Sequence, residues 1–551
     1  MKLENRLTGM NIISASQMSG DLVTYLMRKS LLVEEARDKK MLSHLIRDWR
    51  GETEVQKDHN SGIIFTEAST RTRTSVENTS QVMGMYPLKI VGREGTSLKK
   101  GESLLHTART LIENDAEMIY VRDSLDGSPR WLVKALKKMH EIGQIPLIPV
   151  VNCGDGRLEH PTQALLNERT ALKFTGRLTD ECEHPYSLKG TTIMMFGDLI
   201  AGRVPRSDIS TYARHGVHFM LVAKDYFQLP EHYLKVIEEN GSTYEKFDRL
   251  EPEMLSEVDI LNIYRFQLER LVGITQREMD EAIRDGTLTL EQLRAAKEGM
   301  LVMHPLPDNK KQRQIDPRID FTKHAVYFPQ MGEGFTIRVT GSAASLGLIG
   351  HDFKGELYEE PEAGEIYWED SEKFSQSPSK EHQDIRPIRD GIVIDRLPPG
   401  ATKQMIDYIN TQGHAVFTAD YVESKDQPEM KKGVVLIRGR KPLNEQELHV
   451  LGVLAGRPKD EDAKPLTVNT IANGEVVQKT HIYAPEVMKI EGEGLCPNIT
   501  YDPVSGKPKD GCVSRKEFCE HTHTEFVRYG PGMLQCAYCD TPLEISDLFP
   551  K

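Results

Sequence analysis

The chain has 551 residues, of which 38% are hydrophobic and 28% are charged, and its formal net charge is −13. These fractions are typical of a soluble globular protein, and the length predicts roughly three or four domains. The acidic balance argues against non-specific binding of nucleic acid. No apolar run approaches the ~18 residues of a spanning helix, and the first residues lack the apolar core of a signal peptide, so we expect a cytoplasmic protein without membrane contact.

The first 350 residues alternate short apolar runs with helix-like stretches. Six runs predict buried strands: GIIF, MIYV, PLIPVV, TIMMFGD, VDILNIY and MLVMH. Helical patterns fall between them, as in ESLLHTARTLI and PTQALLNERTALKF. The alternation predicts an α/β fold built on parallel sheets, in which ligands bind at the carboxyl ends of the strands.

Polar residues follow each of the six runs. A strand that leads into a helix presents free backbone N–H groups at the helix N-terminus, and hydroxyl and guanidinium donors there suit a phosphate. The first such group alone would equally suit a helix N-cap with solvated arginines, but five further strand exits at the same sheet edge favour an anion site. The six groups are Ser69-Thr70-Arg71-Thr72, Arg122, His160-Pro161-Thr162-Gln163, Arg203, Arg265-Phe266-Gln267 and, after His304 at the end of the last run, Pro305-Leu306-Pro307.

Five motifs carry a resemblance to a known family. STRTR, HPTQ, GDLIAGR, YRFQ and HPLP, in this order, resemble the catalytic chain of aspartate carbamoyltransferase over nearly the whole of residues 1–350. STRT and HPTQ alone resemble carbamoyltransferases generally, ornithine enzymes included. Arg265, Gln267 and HPLP resemble the aspartate branch, since an ornithine site would want an acid for the side-chain amine and a cysteine in place of Leu306.

The resemblance implies transfer of the carbamoyl group from carbamoyl phosphate to the α-amine of L-aspartate, giving N-carbamoyl-L-aspartate and phosphate early in pyrimidine biosynthesis. It implies no catalytic cofactor and no covalent nucleophile, with a carbamoyl phosphate-binding domain at 1–155 and an aspartate-binding domain at 156–350. Two roles stay open for His304: it could shape the Pro-Leu-Pro turn, or it could contact the substrate. The implied contacts are the phosphate with Ser69, Thr70, Arg71 and Thr72; the carbonyl oxygen with Thr72, Arg122 and His160; the carbamoyl NH₂ with Gln163, Pro305 and Leu306; and aspartate with Lys100, Arg203, Arg265, Gln267 and Leu306.

The segment EGTSLKKGES resembles a loop that reaches into the active site of a neighbouring subunit in this family. Ser97 and Lys100 match the residues involved, and the implied assembly is a homo-oligomer built on trimers with shared active sites. The loop is one residue shorter between serine and lysine than in some relatives, so Lys99 remains a rival for Lys100. Without this context, a Lys-Lys-Gly loop is more often only solvated.

Beyond residue 350 the composition changes. Residues 351–385 are acidic and predict a linker, and residues 386–488 predict a small α+β domain of ferredoxin-like type. GIVIDRLP and NGEVVQK resemble the allosteric domain of the regulatory chain of aspartate carbamoyltransferase, so the protein is a candidate catalytic–regulatory fusion. The family's nucleotide effectors, CTP and ATP, would by resemblance meet Asp395 and Lys479.

The regulatory resemblance departs from the family at two positions. Leu436 stands where the regulatory chain carries a nucleotide-contacting lysine, and Arg396 replaces a histidine beside Asp395. Loss of a phosphate-binding ammonium would weaken a nucleotide site. Two hypotheses therefore stay open: nucleotide control, and a domain kept only for assembly.

The last segment, residues 489–551, predicts a β-rich zinc domain. Cys496, Cys512, Cys536 and Cys539 form a four-thiolate set suited to one structural Zn²⁺, and the family pattern supports these four. The interval between the first two cysteines is longer than in typical regulatory chains. Three further residues are thus possible substitute ligands: Cys519, His521 and His523.

Two alternatives remain for the whole chain. A catalytically silent scaffold could use the zinc segment to bind protein or nucleic acid, but the complete polar set at the six strand exits favours an enzyme. An ornithine-type carbamoyltransferase is the nearer rival, and Arg265 with Gln267 disfavours it.

Overall fold

The structure is a computed structural model that describes residues 5–51, 59–267, 275–308, 313–361, 363–371, 388–398, 401–411, 418–423, 431–439, 442–459, 465–490, 495–501, 508–516, 524–530 and 533–548. The chain divides into two compact units. The first contains Met1–Glu359 and Ile499–Val513, and the second contains Glu360–Asn498 and Ser514–Lys551. Among the helices of the described ranges, none has the length and apolar character needed to cross a membrane.

The first unit begins with a parallel sheet of four strands in the order β2-β1-β3-β4. Strands β1, β3 and β4 are buried almost throughout, as at Ile63, Ile64 and Phe65, because helices cover both faces, and this explains their continuous apolar runs, whereas the edge strand β2 is partly exposed. The elements are α1 Gly20–Asp38, α2 Leu42–Arg50, β1 His59–Phe65, α3 Arg71–Val82, β2 Met85–Val91, α4 Leu104–Ile112, β3 Ala116–Asp123, α5 Ser128–Glu141, β4 Val150–Asp155 and α6 Pro161–Phe174.

A second parallel sheet in the same unit has five strands in the order β7-β6-β5-β8-β9. Each of the six apolar runs of the sequence overlaps a strand of these two sheets, which confirms the parallel α/β prediction. The PLIP part of PLIPVV precedes its strand, and three other runs extend one or two residues beyond theirs. The elements are β5 Thr192–Gly197, α7 Arg203–Tyr212, β6 His218–Val222, α8 Glu231–Glu239, β7 Thr243–Phe247, β8 Ile260–Tyr264, α9 Gln276–Asp285, α10 Leu290–Leu293, β9 Leu301–Met303 and α11 Tyr327–Ser345.

The second unit contains a six-stranded sheet in the order β11-β16-β15-β12-β14-β13. Asn444 caps α13 through reciprocal hydrogen bonds with Glu447, and Asn473 and Gly474 both take the positive φ angles that their two-residue hairpin turn requires. The elements are β10 Ala363–Gly364, β11 Tyr367–Asp370, β12 Gly391–Leu397, α12 Ala401–Thr411, β13 Thr418–Glu423, β14 Lys431–Arg438, α13 Glu445–Ala455, β15 Leu466–Ala472, β16 Glu475–Tyr483 and β17 Val487–Ile490.

The predicted linker is partly wrong as a description of local structure. Strands β10 and β11 lie within residues 351–385, and β11 pairs antiparallel with β16. Ile366 is buried and Trp368 is half-buried between exposed neighbours, an alternation that the many acidic residues conceal in the sequence. Residues 372–387 lie outside the described part of the chain, and the domain boundaries themselves stay predictions.

The remaining segment is rich in short strands. Strands β17, β20, β21 and β22 belong to one sheet with β10, while β18 and β19 form a separate two-stranded ladder. The elements are β18 Ile499–Tyr501, β19 Pro508–Asp510, α14 Val513–Lys516, β20 Thr524–Gly530, β21 Met533–Cys536 and β22 Pro542–Glu544.

Candidate active site

A cavity of about 520 Å³ opens in the first unit at the carboxyl ends of strands from both parallel sheets. The walls are strongly polar and combine arginine, histidine, amide and hydroxyl side chains. The structure brings together here all the predicted contact residues except Ser97 and Lys100, namely Ser69, Thr70, Arg71, Thr72, Arg122, His160, Gln163, Arg203, Arg265, Gln267, Pro305 and Leu306, together with His304.

The first group of donors lies at the N-terminus of α3. The helix begins at Arg71, with Thr70 in the N-cap position, so the backbone N–H groups of its first turn are available to an anion beside the cavity. Thr72 is buried and Arg71 is exposed along the cavity wall. This arrangement combines the positive end of a helix dipole with hydroxyl and guanidinium donors, as a phosphate requires.

Glu67 links two of the cavity's arginines. Its Oε2 lies 2.9 Å from Nη2 of Arg122 and 2.5 Å from Nη2 of Arg203, and the side chains of both arginines are about 10% exposed. Arg122 also donates to the carbonyl oxygen of Cys153 at 3.1 Å. Gly154 is required beside them, because its φ is +114° and a Cβ would lie only 3.0 Å from Nη1 of Arg122. Two guanidinium groups are therefore held side by side with one carboxylate between them.

His160 is buried at the start of α6. Burial, followed by the nearby guanidinium groups of Arg122, Arg203 and Arg338, holds the pKa of this imidazole well below its usual range, so the ring is neutral. Thr162 accepts a hydrogen bond from Arg338 at 3.3 Å, and its Oγ1 lies 3.5 Å from Nδ1 of His160. Thr162 therefore lies between Arg338 and Nδ1 of His160, and its hydroxyl can either donate to this nitrogen or accept from it.

Asp198 organises the strand exits of the second sheet. Its Oδ1 accepts from the backbone N–H groups of Ile200 and Ala201 at 3.2 and 2.8 Å, and its Oδ2 accepts from the backbone of Gln267 at 2.9 Å. One buried carboxylate therefore fixes both the loop that leads to Arg203 and the segment that carries Gln267.

His304 shapes the turn that follows β9. Its Nδ1 accepts a hydrogen bond from the backbone N–H of Leu306 at 2.7 Å, and burial lowers the pKa of this histidine to about 3. Leu306 has a φ of +53°, and its peptide bond to Pro307 is cis. His304 also lines the cavity, so the structural role predicted for it is supported without excluding contact with a ligand.

Ser97 and Lys100 lie on a short 3₁₀ helix, Ser97–Lys100, and both are exposed. Ser97 lines a separate surface cavity of about 760 Å³. Lys99 forms an ion pair with Glu94 of the same loop, whereas Lys100 has no hydrogen-bond or ion-pair partner among the described residues. These two predicted residues therefore do not reach the 520 Å³ cavity of their own chain.

Several residues of the cavity were not predicted from the sequence. Glu67 stands two residues before Ser69 at the same strand exit, so the TEAST context offered a signal for it. Arg338 lies on α11 and donates to Ser75 at 2.9 Å. It follows no strand, as is also true of Gln330, so the rule based on strand exits could not have found either residue.

Four cysteines lie together in the C-terminal part of the chain. The Sγ atoms of Cys496, Cys512, Cys536 and Cys539 all lie within 4.8 Å of one another, and all four residues are buried. The Sγ atoms of Cys496 and Cys539 are 3.5 Å apart. The predicted four-thiolate set is thus assembled as a group that could hold a metal ion. The possible substitutes Cys519, His521 and His523 lie outside the described residues.

The predicted effector residues lie on the six-stranded sheet. Asp395 pairs with Thr467, which pairs in turn with His481, so these three side chains share one face, and Lys479 shares it as well. Burial and the charges of Lys479 and Arg396 lower the pKa of His481. Leu436 is buried in an apolar cluster with Ile388, Val434 and Ile471, so this position offers no polar contact.

Comparison with protein-family models gives three matches in chain order. Residues 10–173 match the carbamoyl phosphate-binding domain of aspartate/ornithine carbamoyltransferases, and residues 189–340 match their Asp/Orn-binding domain. Residues 383–483 match the allosteric domain of the aspartate carbamoyltransferase regulatory chain.

Individual relatives and a solved structure agree with these matches. The aspartate carbamoyltransferase catalytic subunit of Thermococcus kodakarensis is 30% identical over 343 residues, covering 62% of this chain and 98% of that protein. Protein PyrBI of Treponema denticola is 27% identical over 565 residues, covering 98% of each chain. The crystal structure of aspartate transcarbamoylase from Trypanosoma cruzi in complex with carbamoyl phosphate matches with a TM-score of 0.51 and 28% identity, over 62% of this chain and 97% of that chain.

Proposed function

Because this chain belongs to the aspartate carbamoyltransferase family, and transfers the carbamoyl group of carbamoyl phosphate to L-aspartate in pyrimidine biosynthesis with a regulatory domain fused behind the catalytic part, we propose that its 520 Å³ cavity is the active site. The observation that carries this proposal is the convergence of residues from all six strand exits on one cavity. The reaction releases a dianionic phosphate and places negative charge on a carbonyl oxygen, and both changes favour such donors.

The phosphate of carbamoyl phosphate binds at the start of α3. Its oxygens accept hydrogen bonds from the hydroxyl, guanidinium and backbone N–H donors of Ser69, Thr70, Arg71 and Thr72. Arg71 stabilises the leaving phosphate as its negative charge increases. Removal of one preorganised donor of this kind typically costs ~10²–10³ in rate. Positioning and electrostatics therefore account for the chemistry without a covalent nucleophile.

The carbonyl oxygen is held by Thr72, Arg122 and His160. Since His160 is neutral, its single ring N–H donates a hydrogen bond to the developing oxyanion without adding another positive charge. Gln163 and the Pro305-Leu306 backbone contact the carbamoyl NH₂ group, which leaves one face of the carbonyl carbon open to the amine of aspartate.

The aspartate carboxylates bind to Arg203, Arg265 and Gln267, with Leu306 alongside. In the structure Glu67 holds Arg203 against Arg122. Glu67 thus keeps two guanidinium groups in place before the substrate arrives, and the arriving carboxylate competes with it for Arg203. The ornithine alternative is disfavoured, since the cavity offers cations where ornithine would require an acid.

The functional assembly is a trimer in which Ser97 and Lys100 complete the active site of a neighbouring chain, with Lys100 contacting aspartate. Two observations support this proposal: both residues lie away from their own chain's cavity, and Lys100, unlike Lys99, is not engaged by a partner in its loop.

Mixing two inactive variants tests the shared site. Lys100→Ala and Arg71→Ala chains should each lose activity, while hybrids formed by dissociating and reassociating a mixture should regain part of it, because some sites then receive a normal lysine and a normal arginine. Lys99→Ala is the matched control and should remain active. Hybrids that stay inactive would contradict shared sites, and a Lys99→Ala loss equal to that of Lys100→Ala would reverse the choice of lysine.

The four clustered cysteines hold one structural Zn²⁺. A tetrahedral site with Zn–S bonds of ~2.3 Å requires sulfur–sulfur separations of about 3.8 Å, close to the observed spacing. Four buried thiolates without a metal would repel one another. The zinc would add folding energy to this small segment by linking residues that lie far apart in the sequence.

The fused regulatory domain binds a nucleotide such as CTP or ATP through Asp395 and Lys479. The support is that two cationic side chains, Lys479 and Arg396, lie close enough to His481 on the sheet for their charges to lower its pKa. The buried Leu436 weakens the phosphate site relative to a lysine there, so the assembly role stays the alternative. We also propose that the enzyme is cytoplasmic, as the sequence predicts.

A further inference from the structure

A set of buried amide side chains lies behind the active-site cavity. Asn167 is one helical turn after Gln163 on α6, and its Oδ1 accepts hydrogen bonds from Nε2 of Gln163 at 2.9 Å and from Nε2 of Gln330 at 2.6 Å. Asn167 and Gln330 are each about 1% exposed, so water does not compete for these contacts. The orientation of each amide therefore depends on the next one.

One end of this set is fixed by the backbone. The N–H of His304 donates to Oε1 of Gln330 at 3.1 Å. Because a backbone N–H can only donate, Gln330 must present its oxygen to His304 and its NH₂ group to Asn167. Asn167 must in turn offer its oxygen on that side.

The other end is fixed by a carboxylate. Nδ2 of Asn167 donates to both oxygens of Asp208, at 2.9 and 3.0 Å, and the hydroxyl of Tyr264 donates to Asp208 Oδ2 at 2.7 Å. Burial raises the pKa of Asp208 to about 7, and in its ionised form this carboxylate can only accept hydrogen bonds, so it then requires the NH₂ group of Asn167. Both ends thus impose the same orientation on Asn167.

We propose that Asn167 is a positioning residue that turns the amide of Gln163 so that its oxygen faces the substrate, and thereby selects a carbamoyl group over an acetyl group. Oδ1 of Asn167 accepts a hydrogen bond from the NH₂ group of Gln163. Because Gln163 also lines the cavity, its Oε1 then faces the cavity. A carbamoyl NH₂ can donate to that oxygen, whereas the methyl group of acetyl phosphate cannot. This inference rests on the contact proposed above between Gln163 and the carbamoyl NH₂.

The same set of hydrogen bonds also includes the second contact proposed for the carbamoyl NH₂ group, the Pro305-Leu306 backbone. Gln330 holds the backbone of His304, and Nδ1 of His304 holds the backbone of Leu306. Asn167 therefore orients the acceptors on both sides of the carbamoyl nitrogen. A change at Asn167 would disturb recognition of this nitrogen and leave the phosphate donors of α3 in place.

Acetyl phosphate provides the test, because it shares the phosphate and carbonyl of the substrate and lacks its NH₂ group. In the full-length protein, Asn167→Leu should raise the KM for carbamoyl phosphate about tenfold, the size expected for one hydrogen bond, while the inhibition constant of acetyl phosphate changes less than about twofold. Asn262→Leu, at another buried asparagine of the same unit, is the matched control and should leave the ratio of the two constants unchanged.

Asp208→Asn is the second variant if Asn167→Leu fails to fold. An amide at position 208 can offer either group to Asn167, so the ratio should shift in the same direction, by about threefold. An equal rise in both constants would mean general damage to the site and would overturn the proposal, as would an unchanged ratio in a folded variant.

Gln163→Ala separates this inference from the proposed function. If Gln163→Ala shifts the ratio and Asn167→Leu does not, the positioning role of Asn167 is overturned and the Gln163 contact stands. If Gln163→Ala itself leaves the ratio unchanged, the proposed contact with the carbamoyl nitrogen fails, and the inference fails with it.

Discussion

In the catalytic unit, the carboxyl ends of two parallel sheets bring charged side chains from distant parts of the sequence into one cavity, whereas in the regulatory unit the candidate effector residues lie along one face of an antiparallel sheet. In the first case the topology of the sheets positions the residues. In the second case, the register of neighbouring strands places the residues on one face of the sheet. The catalytic cavity can therefore surround its ligand with donors from several strands, whereas the candidate effector residues depend on the pairing of neighbouring strands.

The two parts of the chain also differ in what stabilises them. The parallel sheets share large apolar clusters that include fully buried residues such as Phe65, Phe219 and Ile260. By contrast, the C-terminal segment places four cysteines at buried positions. A sulfur cluster contributes stability only when a metal holds it together, so this part should depend on zinc in a way that the catalytic part does not.

The largest expected effect comes from Cys539→Ser. We expect the protein to lose its zinc and the C-terminal segment to melt, because three thiolates and a hydroxyl bind zinc far more weakly, while the parallel sheets stay folded. Metal analysis and thermal melting followed by circular dichroism measure both results. Cys182→Ser is the control, since Cys182 lies outside the cluster. One equivalent of zinc retained by Cys539→Ser would refute the choice of ligands.

Arg71→Ala should have the next largest effect. The chain should fold normally and kcat/KM for carbamoyl phosphate should fall by ~10²–10³ or more, since a guanidinium that stabilises the leaving phosphate is lost. Steady-state assays of carbamoylaspartate formation measure the change. Arg109→Ala, at an arginine that pairs with Glu113 on the surface, should keep normal activity. Near-normal turnover of Arg71→Ala would contradict the proposed phosphate site at the start of α3.

These two variants probe residues that the sequence could identify, and the reason is physical. Parallel strands end at one sheet edge, so Arg71 and Arg122, which follow strands of the first sheet, could be expected to meet without knowledge of the side-chain packing. Arg265 follows a strand of the second sheet, and its place in the same cavity depends on how the two sheets are arranged within the unit. Contacts such as Arg338 with Ser75, or Asn167 with Asp208, depend on how helices pack against each other, and no local pattern encodes them. Acidic neighbours similarly concealed the alternation in β11.

Glu67→Gln examines one of the residues that the sequence did not identify. We expect kcat to fall about tenfold, because Arg122 and Arg203 lose the carboxylate that holds them together and the two guanidinium groups then repel each other. The KM for carbamoyl phosphate should not rise, since removal of a carboxylate from a cationic cavity favours anion binding. Glu113→Gln is the matched surface control. A rise in KM with kcat unchanged would mean that Glu67 acts only in binding.

The smallest expected effect concerns the regulatory face, and it decides whether that face is a binding site at all. Velocity against aspartate concentration, at fixed carbamoyl phosphate, should shift with CTP by about fivefold or less in the concentration giving half-maximal rate, the low end of allosteric coupling, because the buried Leu436 supplies no cation. Lys479→Ala should abolish the shift and leave the curve without CTP unchanged, while Lys403→Ala, at an exposed lysine on α12, should preserve it. If CTP does not change the velocity curve of the unsubstituted protein, the regulatory unit serves only in assembly. The contrast between the two units would then be sharper, since only one of them would bind a small molecule.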